Sequence, residues 1–235
     1  MKIAICLHGL IGSIKGKNFE NKGGSDEVLT KTHMSNNIII DKYNADVFVH
    51  SWSTDMGKEI VEVYNPKSYK IEEQVQFEVP SYIKAKHNRA FAHLSRWYSY
   101  KHVINELRAY EKKNGIKYDF VMVQRFDLVW KTIPMFETMD PNTFYVGNSL
   151  LNPQKEWSDR VFISNSDNME KFATLFDEID TYMKPGGELP SVKQWSGISS
   201  HFLSRHHANK LKLRVDYKYN YKTDYNEVRN EYYGK

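Results

Sequence analysis

One cysteine, Cys6, stands among 235 residues. That excludes an internal disulfide and a cysteine-rich zinc site, and it points to a reducing, cytoplasmic setting. Cys6 lies inside an apolar run, a poor place for a nucleophile. Long hydrophobic runs are missing too. No stretch reaches the roughly 18 apolar residues of a membrane-spanning helix. The run from Met1 to Leu7 meets His8 and Gly9 too soon for a signal peptide. The 9 histidines show no His-Glu-x-x-His or His-x-His spacing, which argues against a histidine zinc site. Gly-x-Ser-x-Gly is absent, and with it the hydrolase nucleophile elbow. Excess charge is small: 33 Lys and Arg face 29 Asp and Glu, a net +4. That balance does not call for nucleic acid, and it suits an anionic small substrate.

Two nucleotide-loop motifs also fail. Gly9, Gly12 and Gly16 do not match Gly-x-Gly-x-x-Gly. Between Gly12 and Gly16 lie three residues where a P-loop needs four, and Asn18 follows Lys17 where a metal-binding hydroxyl belongs. What survives is a glycine-rich turn after the first strand. Its backbone N–H groups either meet a ligand or simply turn the chain.

Hydrophobic residues make up 40% and charged residues 26%, a globular composition with enough chain for a large α/β domain. Aromatics reach 14%, with 16 Tyr and 5 Trp, residues that serve both cores and polar ligand sites. Residues 2–8 read as a buried strand, 25–43 as a helix capped at Ser25 or Asp26, and 45–50 as a second buried strand. Within 69–79, Ile71, Val75, Phe77 and Val79 alternate with polar residues, which predicts a more exposed strand. Residues 88–113 predict a long helix with Leu94, Trp97, Lys101, Ile104 and Leu107 on one face and Asn114-Gly115 as its stop.

Further strands are expected at 143–147, 161–164 and 211–215. Helices are expected at 168–180, capped by Ser166 or Asp167, and at 190–208. Strands alternating with helices give an α/β class with a mostly parallel central sheet flanked by helices. No repeat or linker divides residues 1–215. From 216 to 235, Tyr217, Tyr219 and Tyr221 alternate with polar groups. That pattern fits an edge strand, a flap over the site, or a tail able to stack on single-stranded nucleic acid.

The most informative segment runs from Tyr118 to Trp130. It is an apolar strand that ends in Arg125-Phe126-Asp127. In α/β sheets, ligands bind in the crevice beyond the carboxyl ends of the strands. An arginine and a carboxylate delivered there suit an anionic or metal-bound ligand. An ordinary ion pair closing the strand is the alternative.

Several pieces, in order, resemble small GT-A-type glycosyltransferase-like proteins of bacterial polysaccharide clusters and large DNA viruses. They are the Lys2–Gly9 opening, His50-Ser51-Trp52, Tyr98-Ser99, Tyr118-Asp119, Arg125-x-Asp127, Asp159-Arg160-Val161-Phe162 and the helix start near Asn168-Met169. The resemblance covers about residues 1–205. It implies a single GT-A-like, Rossmann-like domain, a nucleotide-sugar donor, a glycan acceptor and no nucleic acid partner. It implies hexosyl or deoxyhexosyl transfer in polysaccharide biosynthesis.

The usual Asp-x-Asp is incomplete. Arg125 replaces its first aspartate, leaving Asp127 as the metal ligand for Mn²⁺ or Mg²⁺, or Arg125 itself to neutralise phosphate. The resemblance further places the nucleotide against His8, Gly9, Leu10, Gly12, His50, Ser51 and Trp52. Trp157 and Arg160 are expected at the sugar. Asp159, in a loop before its strand, is expected as catalytic base, with Arg125 at the leaving group. A sulfo- or phosphotransferase, or a binding module without activity, are the alternatives.

Overall fold

The computed structural model describes residues 1–11, 24–83, 89–148, 157–189 and 199–228. A seven-stranded sheet forms its middle, in the order β3-β2-β1-β4-β7-β6-β8. The strands are β1 (Ile3–Gly9), β2 (Asp46–Ser51), β3 (Ser68–Ile71), β4 (Phe120–Arg125), β6 (Phe144–Asn148), β7 (Trp157–Ser164) and β8 (Val215–Asn220). β3, β2, β1 and β4 are mutually parallel. β7 is antiparallel to both β4 and β6, and β6 and β8 run parallel again. Helices lie on both faces, so the α/β class with a mostly parallel sheet is what the chain adopts. Among the described residues no helix is long and apolar enough to cross a membrane.

The pleat explains the two cores. Alternate residues of β1 and β4 point to opposite faces. Ala4, Cys6, Val121 and Val123 pack towards helix α3 (Arg89–Asn114). Ile3, Ile5, Leu7, Phe120 and Met122 face the other way, towards Val28, Leu29 and Ile39 of α1 (Gly24–Tyr43) and Ile60 and Tyr64 of α2 (Gly57–Tyr64). Strands covered on both faces are apolar along most of their length, as residues 3–7 of β1 and 120–123 of β4 are. On α3, Leu94, Trp97, Ile104 and Leu107 are buried as the spacing predicts. Lys101 on that face is half-buried and ion-pairs with Asp177 at 2.6 Å.

Several boundaries differ from expectation. The third strand ends at Ile71; the later alternation belongs to irregular chain, from which Phe77 reaches over to Phe91, Tyr98 and Phe176. The helix expected at 168–180 is two helices, α4 (Ser166–Ala173) and α5 (Leu175–Met183). Its cap is Asn165, whose side chain accepts from the Asn168 N–H. Of the helix expected at 190–208, α6 (Ser200–Lys210) is described, and 190–198 lie outside the described residues.

The last strand of the sheet begins at Val215 rather than Leu211. Leu211 and Leu213 instead pack partly buried against the core. β8 is the sheet edge beside β6. Beyond it, β9 (Tyr225–Glu227) pairs antiparallel with β5 (Leu128–Trp130), a two-stranded ribbon the sequence did not suggest.

Candidate functional site

The chain turns to the opposite side of β1 after completing β2 and β3, so β1 and β4 flank the point where strand order reverses. Crevices outside the carboxyl ends at such a point are where α/β sheets bind ligands. His8 of β1 lies in register with Arg125 of β4 and with His50 of β2. β7 runs the other way, so its first residues, including Asp159 and Arg160, reach this same edge. The β5–β9 ribbon brings in Glu227, and α3 contributes Arg96 and Ser99.

These elements assemble three guanidiniums and three carboxylates. Arg125 Nε donates to Asp127 Oδ1 at 2.8 Å, and its Nη2 contacts Asp127 Oδ2. Arg125 Nη1 donates to Glu227 Oε1 at 2.9 Å. Arg160 Nε meets the same Glu227 oxygen, and its guanidinium lies 4.2 Å from the Tyr221 ring centroid. Arg96 Nη1 pairs with Asp159, whose other oxygen is 3.8 Å from His201 Nδ1. Asp127 is fully buried, whereas the side chains of Arg96, Arg125 and Arg160 stay 18%, 22% and 19% exposed.

Burial disfavours the Arg125 charge, but Asp127 and Glu227 outweigh it and raise its pKa. Arg96 shifts the other way, lowered by burial and by the charges of Arg125 and Arg160, against the pull of Asp127 and Glu227. His8 is held neutral by burial and then by Arg96 and Arg125. Its Nδ1 is buried and has no hydrogen-bond partner among the described residues.

The turn after β1 is braced from inside. Gly9 N–H donates to Ser99 Oγ at 2.9 Å, and the Gly9 carbonyl accepts from Ser51 Oγ at 3.0 Å and Trp52 N–H at 3.3 Å. Ile11 N–H donates to Ser53 Oγ. His50 Nε2 faces Glu72 Oε1 at 3.1 Å and Nδ1 faces Ser99 Oγ at 2.8 Å. An ionised carboxylate only accepts, so Nε2 carries the proton and Ser99 O–H donates to Nδ1. Burial lowers the His50 pKa to about 4.

The expected residues therefore divide. His8, Arg125, Asp127, Asp159 and Arg160 come together. Gly12 lies outside the described residues. Gly9, His50, Ser51 and Trp52 adjoin the cluster, but their polar groups mostly brace the turn. The Gly9 N–H, expected at a ligand, donates to Ser99 Oγ in this structure. Trp52 is buried and stacks on Tyr98. Leu10 is half-buried at the turn. Trp157 is 2% exposed within the α3-side core, which leaves no open ring face for a sugar. Asp159 lies within β7 and not in a loop, and it is ion-paired.

Arg96, Glu227 and Glu72 were not singled out from the sequence, and Ser99 entered only as part of the Tyr98-Ser99 resemblance. The i, i+3 spacing of Arg96 and Ser99 on α3 places them on one face and was the available signal. Glu227 arrives by a tertiary pairing that no local pattern encodes.

The divalent cation implied for Asp127 does not fit these residues. Arg125 covers both oxygens of Asp127, Glu227 accepts from two arginines, and Asp159 is paired with Arg96. A cation would have to displace guanidiniums while standing beside them. Among the described residues, no group of three or more His, Cys, Asp or Glu is placed to hold a metal ion.

No family model matches the chain, and no curated protein does. Among solved structures it is similar to a glycosyltransferase involved in the glycosylation of the major capsid of PBCV-1. That match has a TM-score of 0.47 and 10% identity over 97% of this chain and 93% of that one. It is also similar to a protein assigned as a nucleotide-diphospho-sugar transferase from Desulfovibrio desulfuricans G20. There the TM-score is 0.48 and the identity 10%, over 97% of this chain and 83% of that one.

Proposed function

We propose that this chain is a glycosyltransferase that moves a sugar, a hexose or deoxyhexose, from a nucleoside-diphosphate donor to a hydroxyl of a glycan acceptor. The observation that carries the reading is the convergence of Arg96, Arg125 and Arg160 with neutral His8 at the carboxyl ends of β1 and β4. Transfer breaks the bond from the sugar's anomeric carbon to the diphosphate, and the electron pair stays on phosphate oxygen. Guanidiniums fixed beforehand stabilise that developing charge without reorganising. The acceptor oxygen bonds to the anomeric carbon and loses a proton. Asp159 is the carboxylate assigned to take it, once Arg96 turns from Asp159 to the donor.

The test is a donor screen. Purified protein is incubated with UDP-, GDP- and dTDP-sugars, with a glycan acceptor mixture, and nucleoside diphosphate release is measured. Turnover of one donor class, lost in Arg125→Gln, is expected. No release from any donor, together with tight binding of a nucleotide, would instead favour a binding module. The pairing of all three carboxylates is the observation that keeps that second reading alive.

A further inference from the structure

The geometry points to direct binding of the donor's diphosphate by Arg96, Arg125 and Arg160, with these guanidiniums standing where a divalent cation would otherwise act. The inference rests on the transfer reading above and deepens it.

The charges decide between cation and anion. Among the described residues three guanidiniums face three carboxylates, and the carboxylate oxygens a metal would need accept from arginines. An incoming diphosphate meets fixed forks suited to phosphate oxygens. Arg125 is oriented by Asp127 through two nitrogens and by Glu227 through the third. Arg160 is steadied by Glu227 and the Tyr221 ring. Arg96 Nη1 pairs with Asp159. Burial, and then the neighbouring Arg125 and Arg160, disfavour its charge, so an anion beside it is favourable. His8 adds a buried Nδ1 without a hydrogen-bond partner among the described residues, beside Arg96 and Arg125.

Binding is measured by thermal shift and titration calorimetry on the full chain, using UDP, GDP, dTDP and inorganic pyrophosphate. Each is run in EDTA and again with millimolar Mn²⁺ or Mg²⁺. The expected result is a nucleoside diphosphate whose affinity agrees within about threefold between the two conditions. Arg96→Gln is expected to weaken it by about 10-fold or more in EDTA, and Arg96→Lys to recover part of the loss. Should Arg96→Gln fail to fold, Arg160→Gln carries the same expectation.

Binding seen only with metal would overturn the inference and leave the transferase reading standing. Unchanged EDTA affinity in both Arg96→Gln and Arg160→Gln would overturn it as well. No binding of any probe in either condition would remove both.

Discussion

Gln124 and Arg125 are neighbours on β4, yet they anchor polar groups of opposite character. Gln124 is fully buried on the α1 side. It donates to Asn36 Oδ1 at 2.7 Å and accepts from Trp130 Nε1 at 2.6 Å. Asn36 donates to Tyr64 O–H, which donates to Thr32, which donates to the Val28 carbonyl. Every step is neutral, and the chain of bonds ends on the backbone of α1. Arg125, one residue on, faces α3 and belongs to a cluster of six charges whose arginine side chains stay partly exposed. A closed neutral network rigidifies a core. A charged one whose arginines stay partly exposed, beside a His8 Nδ1 that has no hydrogen-bond partner among the described residues, can exchange internal partners for a ligand. The pleat alone sends the two residues to these different fates.

The largest break in this comparison is Arg125→Met. It leaves buried Asp127 without its guanidinium, and losing one partner of a buried pair costs about 3–5 kcal/mol. Urea unfolding should show that loss, and donor turnover should vanish with it. A stability change below about 1 kcal/mol would mean Asp127 is not sustained by Arg125.

Acid separates the two sides next. Burial holds the pKa of His50 and of His207 at about 4. Between about pH 6.5 and 4 the unfolded chain binds these protons and the native one does not. Stability is therefore fully present above about 6.5 and falls as pH drops through that window. The expected loss is up to about 3 kcal/mol per histidine. In His50→Gln the slope of unfolding free energy against pH should be shallower by one proton. An unchanged slope would place His50 in contact with water.

Gln124→Leu, by contrast, should cost about 2 kcal/mol, because Asn36 Oδ1 and Trp130 Nε1 lose their partner inside the core. Nucleotide affinity, measured on the folded fraction, should match that of the unmodified chain. A fall comparable to that of Arg96→Gln would show that the two clusters are coupled through β4.

The α/β class and the edge of the sheet that carries the charges were legible because β1, β2 and β4 are continuous apolar runs ending in polar residues. Arg125 and Asp127 were legible for the same reason. The burial of Asp127 was not: a residue just past a strand end looks exposed until the β5–β9 ribbon covers it. Asp127→Asn therefore tests the fold as well as activity. Arg96 was hidden within a long helix whose apolar spacing drew attention to Trp97 instead. Glu227 depends on pairing across about 100 positions of chain, and such long-range contacts leave no periodic trace. Trp157 looked like a stacking platform because indoles serve cores and ligands equally well.

The smallest expected effect asks whether the turn after β1 is scaffold or ligand contact. Gly9 has φ of +95°, where side chains are strained, yet a Cβ there would meet no atom of the described residues within 4 Å. Gly9→Ala therefore probes backbone strain and not a clash, and about 1 kcal/mol of stability should be lost. Its N–H and carbonyl are both committed to Ser99, Ser51 and Trp52. If the turn only braces the edge, nucleoside diphosphate affinity should change by less than about threefold. A loss of about 10-fold or more at nearly unchanged stability would mean that Gly9 gives up its Ser99 bond to the bound donor. The turn would then belong with the Arg125 side of the comparison, as an exchanging contact, and not with the closed network at Gln124.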